Sequence, residues 1–93
     1  MTSGRPQTRA RNALRRHFGD DAAAIFAALE VWCGVHSSVS AYVERELAEE
    51  LELPDWVLPF VDVERIAELW IDEGRLWALQ DRRTGGVHVF LAT

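Results

Sequence analysis

Between Tyr42 and Gly74 apolar residues recur at helical spacing in two runs, YVERELAEELEL and VERIAELWIDEG, with a proline-bounded aromatic segment between them. In the first run Val39, Tyr42, Val43, Leu47 and Leu51 share one face, which leaves Glu44, Glu46, Glu49, Glu50 and Glu52 outside it or along its flanks. In the second, Val63, Ile66, Ala67, Trp70 and Ile71 face inward. Glu64, Glu68 and Asp72 then stack at i, i+4 and i+8, about 6 Å apart at a rise of 1.5 Å per residue. Like charges at that spacing cost an isolated helix about 0.2–0.5 kcal/mol per pair. A stripe kept against that cost has two readings, a face selected for solubility or a surface built for a partner. Between the two helices Leu53–Val61 forms an elbow. Each proline disfavours helical geometry in the residue before it, so the elbow has room for one helical turn, with Trp56 and Phe60 expected to plug the core. Asp62 is placed to cap the second helix and Gly74 to stop it.

Upstream, Ala10, Leu14 and Phe18 fall on one side and Arg11, Arg15 and Arg16 on the other, which predicts a short helix over residues 9–18 after a disordered Met1–Thr8. A longer helix is expected from Asp20 to Cys33. Asp20 or Asp21 caps it, Ile25, Phe26, Leu29, Trp32 and Cys33 form its apolar face, and Gly34 is the stop. Ser37 or Ser38 then caps the first acidic helix. After Gly74 the period changes. RLWALQ (75–80) and VHVFLA (87–92) are β-prone runs on either side of the turn-forming DRRTGG, which predicts an antiparallel hairpin. The expected class is α+β: three to four helices plus a short elbow helix, followed by a C-terminal antiparallel β-hairpin. Residues 1–18 read as a flexible basic arm and 19–93 as a single compact acidic domain.

Ninety-three residues at 48% hydrophobic content support one small core. The single cysteine, Cys33, excludes an intramolecular disulfide and fits a reducing compartment. No apolar run approaches a membrane span, so the expectation is a soluble protein in the cytoplasm of a bacterial host. The formal charge of −5 conceals an asymmetry: the first 19 residues carry five arginines and no acid, while the remainder holds 15 acids against 5 bases. An acidic body with a basic segment is the electrostatic signature of the chain.

Candidate chemistry changes that picture little. His17, His36 and His88 fall in three separate segments and make no full ligand set with the single cysteine, so no metal is expected. Cys33, placed at a helix end, has no motif partner and reads as a structural thiol. The carboxylate pairs lie on solvated faces, and Gly85 and Gly86 sit in a hairpin turn and not a phosphate loop, so neither catalysis nor a cofactor is expected. Three binding classes remain. The helices flanking Gly34 pass for a helix-turn-helix, although Glu44, Glu46, Glu49 and Glu50 would face phosphate with Arg45 alone. A nucleic-acid-binding regulator would therefore have to act through Arg5, Arg9, Arg11, Arg15 and Arg16. A structural protein would assemble into a homodimer through the hairpin edge. An acidic decoy would present fixed carboxylates to a protein site built for nucleic-acid phosphates.

The segments FGDDAAAIFAALEVWCG (18–34), SSVSAYVERELAEEL (37–51), LPDWVLPFVDVERIAELWIDEGRLWAL (53–79) and GVHVF (86–90) resemble, in order and spacing, the middle and C-terminal parts of the ArdA antirestriction proteins of phages and mobile elements. The shared features are an aromatic-x-Gly-x-x-Ser entry to an acidic helix, a Pro-Asp elbow, a Val-Asp-x-Glu cap, a helix ending in acid-Gly, and a final Val-His-Val-Phe. The resemblance implies a non-enzymatic DNA mimic that occupies the DNA-binding groove of a type I restriction-modification enzyme, or of another DNA-targeting defence complex such as a CRISPR effector. It assigns partner binding to Glu44, Glu46, Glu49, Glu50, Asp55, Glu64, Glu68, Asp72 and Glu73, with Asp62 mostly a helix cap. The Arg-rich segment has no counterpart in the family's pattern, and Val35, His36, Ser37 and Ser38 stand where it usually carries acids and an aromatic.

Overall fold

A computed structural model describes residues 6–92 as an α+β fold of four helices and a three-stranded antiparallel sheet. In chain order these are α1 (Pro6–Phe18), α2 (Ala22–Glu30), β1 (Trp32–His36), α3 (Val39–Glu49), a 3-10 turn (Leu58–Phe60), α4 (Val63–Asp72), β2 (Leu76–Gln80) and β3 (Val87–Leu91). The sheet order is β1-β3-β2, so the last strand is the central one.

Local chemistry fixes most boundaries. Asp21 accepts from the Ala24 amide at 3.1 Å, Ser38 from Ala41 at 3.1 Å and Asp62 from Arg65 at 3.0 Å, each satisfying a donor that a helix start leaves open. The hairpin forms as its β-prone runs predict, pairing Leu76 with Leu91 through Gln80 with Val87.

Side-chain alternation along the strands divides the core in two. On one face of the sheet, Val89 and Leu76 pack with Tyr42, Val43 and Leu47 of α3 and Ala67 of α4. On the other face, Phe90 packs with Leu14 of α1 and Ala28 of α2. The molecule is thus three layers, α1/α2, sheet, and α3/α4.

Four expectations are corrected. The helix expected to run to Cys33 ends at Glu30, because Trp32, Val35 and His36 pair with Phe90, His88 and Val87 of β3. Gly34, at φ +94°, lies between the paired residues where the register shifts, and the sheet gained there outweighs one more helical turn. With a strand between them, α2 and α3 do not form the expected helix-turn-helix. The basic segment is not a flexible arm: helix begins at Pro6, and Ala10, Ala13 and Leu14 are buried. The stack of Trp77 on Phe90 at 4.3 Å, with His17 over Trp77 at 5.8 Å, clamps α1 to the sheet. The disorder expected over Met1–Thr8 fails for residues 6–8, which open α1; residues 1–5 lie outside the described residues.

The fourth correction concerns the apolar positions. Trp56 and Phe60 do not plug the core but are 74% and 83% exposed, and Phe26, Leu51 and Ile71 are exposed as well. Leu53, Leu58 and Val61 pack against the core in their place.

Candidate functional site

The α3/α4 layer and its elbow, residues 39–75, hold eleven carboxylates against three arginines, a net of −8. All nine residues proposed for partner binding belong to this layer, and all but the half-buried Glu46 are exposed. Glu64, Glu68 and Asp72 form the expected stripe on α4, where Asp62 fixes the helix start.

The nine do not form one continuous row. Glu44 and Glu64 line one hollow at the starts of α3 and α4. Glu46 and Glu50 line another, of about 350 Å³, with Tyr42, Trp70, Arg75 and Leu76. Asp55 stands apart on the elbow. Each arginine of the layer pairs with one of the nine: Arg45 with Glu49 at 3.0 Å, Arg65 with Glu68 at 3.6 Å and Arg75 with Glu73 at 2.9 Å. Exposed pairs of this kind are worth about 0–1 kcal/mol, so a competing partner displaces them readily, and their charges are already counted in the −8. Glu46 is held differently, accepting a hydrogen bond from the Tyr42 hydroxyl at 2.7 Å. Burial, with that bond to Glu46 second, raises the Tyr42 phenol far above its ordinary value and keeps it a neutral donor.

On the opposite side, Arg11, Arg15 and Arg16 of α1 and Arg82 beside them are exposed, as is Arg83 in the β2–β3 turn, and none has an ion-pair partner among the described residues. Arg16 and Arg82 line one hollow with His17 and Gln80. Arg9, expected among the nucleic-acid contacts, is turned inward, its Nε 3.3 Å from Oδ1 of buried Asp81 and its side chain 14% exposed. Arg5 lies outside the described residues.

Asp81 is the polar node beneath this side. It accepts from the Thr84 hydroxyl at 2.6 Å, and His88 Nε2 lies 3.3 Å from its Oδ1. The His88 ring nitrogens lack hydrogen-bond geometry, so the ring packs against the carboxylate without forming a bond to it. Burial pushes the Asp81 carboxyl up, but the Thr84 hydrogen bond and the charges of His88 and Arg9 outweigh it and set the net direction downward. Burial lowers His88, overcoming the pull of Asp81. The node joins α1 to the β2–β3 turn and is closed to solvent, which suits a structural role.

Cys33 lies in β1 with Sγ 3.7 Å from the Tyr42 hydroxyl, so the helix-end reading of its thiol lapses. Among the described residues, no group of three or more His, Cys, Asp or Glu stands where it could hold a metal ion. Among the described residues, no helix is long and apolar enough to cross a membrane.

Two features escaped sequence reasoning. The outward aromatics of the elbow have a signal, two aromatic residues among acids and prolines, but the same signal fits a core plug. The union of Arg16 with Arg82 had none, because 66 positions separate them. Set against protein-family models, curated proteins and solved structures, the chain matches none of them.

Proposed function

We propose that the chain is a DNA mimic that inhibits a host type I restriction-modification enzyme, or another DNA-targeting defence complex, by occupying its DNA-binding site with the α3/α4 layer. The supporting observation is the segregation of charge: a net of −8 on one helical layer, with the unpaired arginines on the other side of the sheet. Duplex DNA carries one charge per roughly 1.7 Å of axis, so −8 equals the phosphate charge of about 14 Å of duplex. One protomer replaces a short stretch of a footprint, and a cationic groove is the surface such a field attracts. The ArdA-like order of motifs favours the same reading. The reading places the protein in the cytoplasm of a bacterial host.

In a phage or plasmid restriction assay, Glu64→Gln, Glu68→Gln and Asp72→Asn together should abolish inhibition while the melting temperature holds, since all three side chains are exposed. A triple variant that inhibits as well as the parent removes the electrostatic mechanism.

One observation favours a second reading, a small nucleic-acid-binding regulator: Arg16 and Arg82 converge on one hollow with no carboxylate on it. A gel shift with duplex and single-stranded oligonucleotides separates the two. The regulator predicts binding that weakens on Arg11→Ala, Arg15→Ala and Arg16→Ala, whereas the mimic predicts no shift with either protein. Removing α1 is unsuitable here because Ala10 and Leu14 are core residues.

A further inference from the structure

We infer that Trp56 and Phe60 are the apolar anchors with which the acidic layer seats on an arginine- or lysine-bearing protein surface. This deepens the proposed function and rests on it for the identity of that surface. A decoy of charge alone would need only carboxylates, yet the elbow holds out two large aromatics, 74% and 83% exposed, within five residues of each other. Exposed apolar side chains scattered singly need no explanation, but two aromatics on a braced segment amid one sign of charge do.

The elbow is rigid by construction. Leu53, Leu58 and Val61 root it in the core, and amide-to-carbonyl bonds from Val57 to Pro54 at 3.0 Å, Phe60 to Val57 at 2.9 Å and Val61 to Leu58 at 3.0 Å close successive turns. Glu52, just before it, holds φ +52°, a left-handed conformation that a glutamate adopts only when its surroundings impose it. Anchors held this way lose little freedom on docking, and aromatic side chains are the residue type that most often dominates an interface.

Charge selects the occupant. From Glu46 to Glu64 the chain carries seven carboxylates and no base. A second copy presenting the same face would set −8 against −8, and an anionic lipid surface would be repelled likewise. A cationic protein surface is attracted, and its arginines can also lie over the Trp56 ring. The expected partner surface is therefore basic with apolar recesses, which describes the wall of a nucleic-acid groove and not the nucleic acid itself.

The test compares the parent with Trp56→Ala/Phe60→Ala, whose melting temperature should match because both rings are exposed. The first probe is an amphipathic helical peptide with arginine on one face and leucine on the other. The second is a serine-for-leucine peptide of equal charge, and the third is a purified type I restriction-modification complex. Loss of about 2 kcal/mol per hot spot corresponds to roughly 30-fold, so the double variant should bind the Arg/Leu peptide at least 30-fold more weakly and the Arg/Ser peptide unchanged. Equal binding of the Arg/Leu peptide by both proteins overturns the anchor. So does parent self-association in sedimentation, or flotation with anionic vesicles, that the substitutions abolish. If the peptide pattern holds while the type I complex binds neither protein, the anchor stands and the restriction target falls. If the complex binds both proteins equally but not the Glu64/Glu68/Asp72 variant, the decoy stands and the anchor falls.

Discussion

His88 offers a measurement that isolates one buried group. Its ring is fully buried beside Trp32, with Asp81, Arg9 and Arg16 as the charges acting on it, and burial holds its pKa below the ordinary histidine value. In the unfolded chain the ring titrates near 6.5, so below that pH the unfolded state binds a proton that the folded state refuses. Stability must fall as pH falls through this window. The limiting slope is about 1.4 kcal/mol per pH unit for one group. If the folded ring stays neutral, the accumulated loss from pH 7.5 to 5.5 is about 1.4 kcal/mol. Asp81 acts in the same direction but lower. Its folded pKa is depressed, so its contribution is present above the ordinary carboxylate value of 3.8 and is lost as pH falls below it. Urea unfolding followed by tryptophan fluorescence at pH 7.5, 6.5 and 5.5, on the parent and on His88→Gln, separates the two. His17 and His36 are common to both proteins and cancel. Parent-minus-variant stability should shrink by about 1.4 kcal/mol across the window whatever the packing cost of the substitution at neutral pH. A difference that stays constant, or grows on acidification, means that the folded ring takes up its proton as readily as the unfolded one, and the account of the Asp81 node fails.

Leu14→Ala should cost about 2–5 kcal/mol in denaturant unfolding, because the side chain is wholly buried between α2 and β3; a loss below about 1 kcal/mol would return α1 to the status of an arm. Gly86→Ala should cost about 1–3 kcal/mol, since a Cβ there would strike the His36 carbonyl across the β1–β3 pairing. A thermal melt at the parent's temperature would show that β1 does not lie where the sheet places it.

What the sequence announced is what local chemistry decides. Asp21, Ser38 and Asp62 cap their own helices three residues downstream, and the hairpin follows from a period change around Asp81–Gly86. What it hid depends on distant partners. Trp32 and Cys33 continue an apolar helical pattern, and only β3, more than fifty residues later, makes them part of a strand. Arg9 looks like its four basic neighbours until Asp81, 72 positions away, claims it. At the site, the exposure of the helical carboxylates was legible because periodicity assigns faces, with half-buried Glu46 the exception. Their division into two hollows and three ion pairs was not, since that depends on how α3 and α4 pack. Trp56 and Phe60 run against expectation because hydrophobicity says that a side chain would gain by burial, not that the turn it occupies faces inward. In the elbow Leu53, Leu58 and Val61 take the inward places.

The three-layer arrangement also decides which charge a partner meets. Net charge for the chain is −5, but that figure adds arginines and carboxylates lying on opposite sides of the sheet. Two packing distances of roughly 10 Å separate one helical layer from the other, so the two sets stand about 20 Å apart. At physiological ionic strength the Debye length is about 8 Å, so little of the field of Arg11, Arg15 and Arg16 reaches the α3/α4 surface through solvent. A groove approaching that surface responds to the local −8, and one approaching α1 responds to an excess of arginine. Had the basic segment folded back over the acidic helices, its five arginines would have cut the local −8 to −3. It is the sheet, holding α1 on its far face through Leu14, Trp77 and Phe90, that leaves the α3/α4 carboxylates unneutralised by the arginines of α1.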